Sequence, residues 1–481
     1  MPRRRSRWTE PRIDARLGRT INDIFLSIPP AEARELFHRV RAEAAAAQIT
    51  YEDDDGASQV VPIMIRPRVI RHDQEAYVHR VCLDLDRAIE RLAKMYLHDE
   101  RVRELLPFTE REDRWLRDVL TRAGDQPQTV IGRLDANADF ADEDWDGQFH
   151  FFETNTVGVG GMYYAPKVSE ILMDVVVPAM QRVAPGLAVK PQADMRQLLA
   201  DQLATHGRLT RRTRLNIAFV QERGLVGGPN EFPFLVEYLR AQGITAVMCD
   251  PRDLEVRGGE LHYGDLPIDV VYREAEMAMF IQMEDEGADL TGLRHAFLEN
   301  QVVSSFAGEF DHKSTFEVLT TPELACTFTM RQQRIFRTHV LWTRRVRELR
   351  TTDPEGAEID LLPWLRRNKD RLVLKPNRSF GGYGIVVGPH VDLSAWDDAL
   401  AAALSESSAE TGGVVAQRYV DVRVKDFPVL GEDGTISLEE MYVVCGFLAT
   451  QRGVGILGRA SKKRVVNVGQ KGGLTGFVVL A

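Results

Sequence analysis

The chain has 481 residues, 44% hydrophobic and 27% charged, with a formal net charge of −10. This ordinary globular composition excludes a disordered scaffold, and at roughly 100–200 residues per domain the length allows two to four domains. The negative balance argues against a general nucleic-acid coat, which needs a broad basic surface, but leaves room for a small basic pocket for phosphate.

Cys82, Cys249, Cys326 and Cys445 lie far apart without CxxC spacing. Neither a disulfide framework nor a structural zinc site is expected, and a reducing compartment is the natural reading. No stretch approaches the ~18 consecutive apolar residues of a membrane span. The most apolar run, 171–180, is broken by Asp174 and Pro178. The basic start, MPRRRSRW, has no apolar core behind it, so it reads as a solvated tail and not as a signal peptide. The expectation is a cytoplasmic protein that engages neither membrane nor nucleic acid.

In chain order, residues 1 to about 125 read mostly as helices. Leu85, Ile89, Leu92 and Tyr96 recur at helical spacing between charges. Pro107 stops one helix and Thr109 can cap the next. EDDDGAS (52–58) reads as a surface loop. TVIGRLD (129–135) and QFHFFETN (148–155) are short apolar runs ending in polar and charged residues, as in strands whose working residues emerge at one end. Residues 162–205 read as helical. RLNIAFVQ (214–221) is a buried strand, FPFLVEYLRAQG (232–243) a helix stopped by Gly243, and ITAVMCDP and LPIDVVYRE (266–274) two further strands. That alternation predicts a small parallel α/β unit. RLVLKPNRSFGGYGIVVG (371–388), a helix near 395–405, the strand GGVVAQRYV (412–420) and a glycine-rich final stretch complete the chain.

Two constellations carry chemistry. Arg133 with Asp135, and Glu153 with Asn155, each lie two apart on a strand and so share a face. If those strands are neighbours, one edge presents two carboxylates, an amide oxygen and a guanidinium. Oxygen donors of that kind suit a hard cation such as Mg²⁺, completed by water and phosphate oxygens, and the arginine can stabilise charge developing on a transferred group. The bland alternative is an Arg133–Glu153 ion pair across a sheet edge. In KPNRSFGGYG (375–384), Lys375 ends a strand and Gly381, Gly382 and Gly384 follow. Glycine lets backbone N–H groups approach an anion, and lysine supplies a point charge. There is no GxxxxGK[ST] P-loop, and the alternative is a hairpin with a solvated lysine. VVAQRYV (414–420) can present its backbone to an adenine edge with Gln417 adding an amide contact, or be an ordinary buried strand. Lys313, at a helix start, is either held by an anion or simply exposed. Neighbouring His312 reads as a structural or surface histidine.

At these residues the sequence resembles the ATP-grasp ligases, specifically the circularly permuted branch that includes glutathionylspermidine synthetase-like proteins. Here RLD and ETN come first and the lysines and glycine loop follow, the reverse of the ordinary order. The resemblance runs loosely from about residue 60 to the C-terminus. It implies that Asp135, Glu153 and Asn155 hold magnesium and that Arg133 stabilises the reacting acyl phosphate. Lys313 and Lys375 would contact the ATP phosphates, Gly381, Gly382 and Gly384 would form the flexible loop over them, and Gln417, Arg418, Tyr419 and Val420 would line adenine. Arg459 and Asn467 match family positions more loosely. The implied fold is α/β, with α+β lobes in a circularly permuted ATP-grasp arrangement. A helical N-terminal region (1–125) precedes a first core part with the metal strands (126–210). A small pre-ATP-grasp α/β domain (211–300), a lid and nucleotide region (301–420) and the remaining core (421–481) follow.

The family's cofactors are ATP and Mg²⁺, and its partners are a small-molecule or peptide carboxylate and an amine. The family forms an amide-type bond through an acyl phosphate. After ETN the sequence continues TVGVGGMYYAP, where glutathionylspermidine synthetases have an NADTP-like run, so the resemblance names neither glutathione nor spermidine as substrate. The alternatives are a non-catalytic nucleotide- or partner-binding protein on the same scaffold, and a phosphotransferase acting on a hydroxyl. Sequence does not give the oligomeric state.

Overall fold

The structure, a computed structural model, describes residues 20–52, 56–141, 144–224, 228–379, 381–405, 411–464, 466 and 472–480. The basic start, part of the 52–58 loop and Asn467 lie outside these residues.

The largest sheet runs in the order Ile63–Ile70, Gly473–Leu480, Gly453–Ser461, Ile436–Thr450, Arg133–Asn137, His150–Asn155. Neighbours are antiparallel except the first pair. Arg423–Leu430 pairs with the first half of Ile436–Thr450. A second, antiparallel sheet is ordered Thr343–Arg345, Val414–Arg418, Leu372–Pro376, Val386–Val387. A third is wholly parallel: Val302–Val303, Val270–Arg273, Asn216–Val220, Thr245–Cys249.

The third sheet is the α/β unit expected from the strand–helix–strand alternation. Ile217 to Val220 are all buried, as a parallel strand covered on both faces requires. Helix Phe232–Ala241 follows, and Gly243 at φ +78° turns the chain out of it. The helix His72–His98 buries Leu85, Ile89, Leu92 and Tyr96, and Thr109 caps the helix Glu110–Ala123 in a capping box with Glu112.

Two features add to the sequence expectation and one differs from it. The mainly helical N-terminal region also contains Ile63–Ile70, a strand of the main sheet. Arg66 and Arg68 disguise it: Arg68 is buried, donates to the Ala138 carbonyl (2.7 Å) and lies over the Phe477 ring. Thr129–Gly132 lies outside any strand; it runs beside Ser304, exchanging hydrogen bonds with its backbone and hydroxyl, and the strand starts at Arg133. The glycine-rich end forms two strands. A Cβ on Gly458 would lie 2.1 Å from the Thr475 hydroxyl, so glycine there serves close packing between neighbouring strands. The four cysteines are free thiols, and only Cys326 is exposed. No helix among the described residues is long and apolar enough to cross a membrane.

Candidate functional site

The strands Arg133–Asn137 and His150–Asn155 are neighbours. Arg133 faces Asn155 and Asp135 faces Glu153, after which the register shifts by one residue at Phe152. A bulge frees a carbonyl from the ladder. The Phe152 carbonyl accepts from Gln417 Nε2 (3.1 Å) and from Lys375 Nζ (3.5 Å), which links the metal-strand edge to the second sheet.

Asp135 is fully buried, and guanidiniums occupy both its oxygens. Arg133 donates to Oδ1 (2.7 Å) and Oδ2 (3.0 Å), and Arg459 to Oδ2 (2.6 Å). Burial pushes this carboxyl upward, but the two arginines overcome it and hold it at about 2. Arg133 spends its remaining nitrogen on the Gly160 carbonyl (2.7 Å). The pair expected as magnesium ligand and phosphate stabiliser is therefore closed on itself in this conformation. Two oxygen donors at that edge remain open. Glu153, half-buried, meets no donor among the described residues. Asn155 uses only its amide nitrogen, toward the Arg133 carbonyl (3.5 Å). No group of three His, Cys, Asp or Glu among the described residues is placed to hold a metal.

Lys375 is buried in the strand Leu372–Pro376, donates to Gln417 Oε1 (2.8 Å) and lies 5.1 Å from the Phe152 ring centroid. Burial lowers its amine to about 8, with Lys313 acting in the same direction and Glu153 and Asp135 opposing. Gln417 also donates to Thr343 Oγ1 (3.1 Å). Its side-chain amide is thus committed to orienting Lys375, where an adenine contact had been expected. The Lys313 amine donates to the Ser379 carbonyl at the root of the glycine loop. Gly381, Gly382 and Gly384 all have positive φ (75, 78 and 68°), a conformation side chains disfavour.

A cavity of about 160 Å³ lies between the first and second sheets. Glu153, Lys375, Gly381 and Gly382 line it, as do Gln417 to Val420 and Arg459. Arg133, Asp135, Asn155, Lys313 and Gly384 stand behind or beside this lining. Backbone N–H groups of Arg418 and Tyr419 are taken by the Trp342 (2.8 Å) and Arg371 (2.7 Å) carbonyls, while that of Val420 meets no acceptor among the described residues. The buried Arg459 Nε is likewise without an acceptor among them.

Sequence reasoning missed the carboxylates around the 156–161 loop. Glu231 accepts from the backbone N–H groups of Gly161 (2.5 Å), Tyr163 (2.9 Å) and Tyr164 (2.8 Å). Asp311 accepts from Thr156 N (3.3 Å). Burial first, then Glu276 and Glu309, raise Asp311 to about 8. Burial raises Glu274 to about 7. Only proximity in sequence could have flagged them: Asp311 lies two residues before Lys313, and Glu274 ends the VVYRE run.

No family model matches the chain. An uncharacterised protein of Mycobacterium leprae (strain TN) is 26% identical over 502 residues, covering 95% of this chain and 79% of the relative. Uncharacterised proteins of Mycobacterium bovis and Mycobacterium tuberculosis are 26% identical over 511 residues, covering 95% of this chain and 81% of theirs. Among solved structures, a glutathione synthetase-like effector from Globodera pallida, in its apo form, matches with a TM-score of 0.60 at 12% identity. That match covers 95% of this chain and 98% of the effector's. With its several sheets, the chain has a mixed α/β, glutathione synthetase-like fold.

Proposed function

We propose that the protein is an ATP-dependent carboxylate–amine ligase of the circularly permuted, glutathionylspermidine synthetase-like ATP-grasp type. The supporting observation is the cavity between two sheets where the buried Lys375, the Glu153 carboxylate, Arg459 and the glycine loop converge beside the Val420 N–H, which meets no acceptor among the described residues. The adenine edge would bind the backbone near Val420, and the phosphates would lie toward Lys375 and Gly381–Gly382. Magnesium fits Glu153 and the Asn155 amide oxygen, with water and phosphate oxygens completing its shell; when bound it neutralises triphosphate charge. In this reading Asp135 is no metal ligand and instead holds Arg133 and Arg459 in place.

A substrate carboxylate attacks the γ-phosphorus, the bond to the β–γ bridging oxygen breaks, and ADP leaves. The amine nitrogen then attacks the acyl carbon, the bond to phosphate oxygen breaks with its electron pair going to phosphate, and the nitrogen gives up a proton. Lys375 and Arg459 would stabilise charge on the transferred group, and the glycine loop would exclude water from the acyl phosphate. The test is ATP and Mg²⁺ with a panel of acids crossed with amines, read by phosphate release and mass spectrometry. ADP and a condensed product are expected only when acid and amine are both present. ADP formed without an amine, together with a phosphorylated hydroxyl, would replace ligase by phosphotransferase.

One observation favours a second reading. Asp135 is enclosed by two arginines, and no cluster of three metal-binding side chains is formed among the described residues. A protein that binds nucleotide without turning it over would look the same. Nucleotide binding with no ADP formed across the whole panel selects it.

A further inference from the structure

The glycine loop has two unlike halves. Its second half carries the three positive-φ glycines. Its first half is fastened by side chains. Asn377 is fully buried: its Oδ1 accepts from Ser314 N (2.8 Å) and its Nδ2 donates to the Gly412 carbonyl (3.1 Å). Its carbonyl accepts from Lys313 N (3.1 Å). The next residue, Arg378, reaches the helix Glu110–Ala123. There it forms a bidentate pair with Glu112, at 2.9 Å and 2.5 Å, and its guanidinium lies 5.2 Å from the Phe108 ring centroid. The two side chains are only 9% and 2% exposed. Glu112 is itself fixed, because it accepts from Thr109 N (2.7 Å) in the capping box. A forked, desolvated pair of this kind fixes geometry as well as charge. Two further acids act on Arg378: the buried Glu309, which is engaged by Arg273 (2.7 Å), and the half-buried Glu276.

Phe108, Thr109 and Glu112 belong to the N-terminal region, whose sequence carries no recognisable chemistry. We infer that this region is a working part of the nucleotide site, in which Glu112 and Arg378 are positioning residues that hold the root of the phosphate loop, an inference that rests on the nucleotide reading proposed for this cavity. The coupling is contiguous. Arg378 adjoins Asn377, which orients Lys313 and Ser314, and Ser379, whose carbonyl receives the Lys313 amine. Lys375 lies three residues upstream. If Glu112 lets go, the supports of both lysines shift together.

The discriminating variant is Glu112→Gln. Glutamine serves at this capping-box position as glutamate does, so the helix start survives while the charged fork is lost. Calorimetry with Mg–ADP on the full chain, run well below the melting temperature, should show affinity weakened about tenfold, the scale of one charged hydrogen bond; the melting temperature should also fall, because Arg378 keeps a buried charge without its partner. Arg378→Lys, which keeps charge but not the fork, should fall between Glu112→Gln and the native protein. The double variant Glu112→Gln/Arg378→Gln should be no weaker than the weaker of its two single variants, because the residues act as one unit. Native affinity in Glu112→Gln overturns the inference. If the native protein binds no Mg–ADP, the nucleotide reading fails on its own. Amide exchange over residues 375–379 of the free protein then decides the positioning role: faster exchange in Glu112→Gln supports it, and unchanged exchange overturns it.

Discussion

Lys375 keeps its charge where water cannot help it. Its amine is lowered to about 8 by burial, and a bound polyphosphate would restore it toward the ordinary lysine value near 10.4. Binding therefore takes up a proton above pH 8. Nucleotide affinity should be flat below that point and fall about tenfold per pH unit above it, until the bound-state value is reached. Calorimetry from pH 7 to 9.5 checks this, and Lys375→Ala should be weak and flat throughout. Asp135 and Glu153 face each other across one ladder and should respond oppositely to loss of charge. Asp135 is held at about 2 in the folded protein, below its unfolded value near 4. Its contribution to stability is present above that value and lost as pH falls from about 4 toward 2. Asp135→Asn strands two buried guanidiniums and should cost about 3–5 kcal/mol in denaturant unfolding. Glu153→Gln should leave stability nearly intact and remove ATP turnover by several orders of magnitude. A stable but inactive Asp135→Asn would return Asp135 to the metal.

Among the elements, those with a regular hydrophobic period were legible and those that break it were not. The buried run Ile217–Val220 and the stripe of Leu85, Ile89, Leu92 and Tyr96 announce themselves because burial and period agree. Ile63–Ile70 did not, because Arg66 and Arg68 occupy buried positions, where Arg66 lies over the Phe427 ring and Arg68 over the Phe477 ring while donating to the Ala138 and Val444 carbonyls. The site divides in the same way. Residue types and spacing in KPNRSFGGYG and in the RLD and ETN pairs marked the positions that converge. Side-chain commitments were hidden, since the Gln417 amide is spent on Lys375 only because a bulge more than 260 residues earlier turns the Phe152 carbonyl outward. The glycine-rich strands escaped notice because glycine lowers strand propensity, though here it is required by contact. Gly458→Ala puts a methyl group against Thr475 and should cost about 1–3 kcal/mol as overpacking, seen as a lower denaturation midpoint with an unchanged m-value.

Across the whole molecule, half-buried carboxylates set an unusual pH profile. Asp311 is raised to about 8 by burial and by Glu276 and Glu309, while burial raises Glu90 and Glu274 to about 7. Each binds a proton in the folded state that the unfolded chain has already released, so stability falls as pH rises through these values. Buried neutral histidines such as His206, lowered by burial to about 4, act in the opposite sense, but only below about pH 6.5. The melting temperature should therefore decline from pH 6.5 to 8, where many proteins are level. Asp311→Asn should flatten that decline, and a native profile that rises over this range would contradict the burial of these groups.

The parallel pairing of Ile63–Ile70 with Gly473–Leu480 joins segments about 410 residues apart in the chain, whereas the strands of the wholly parallel sheet all lie within residues 216–303. Closing a long loop costs entropy before any contact repays it, and such non-local pairings form slowly. The parallel unit can therefore be complete while the main sheet still lacks an edge. In that interval the unfinished main sheet exposes an apolar strand edge, and that is the stage at which a chain of this size is most open to misassembly with its neighbours.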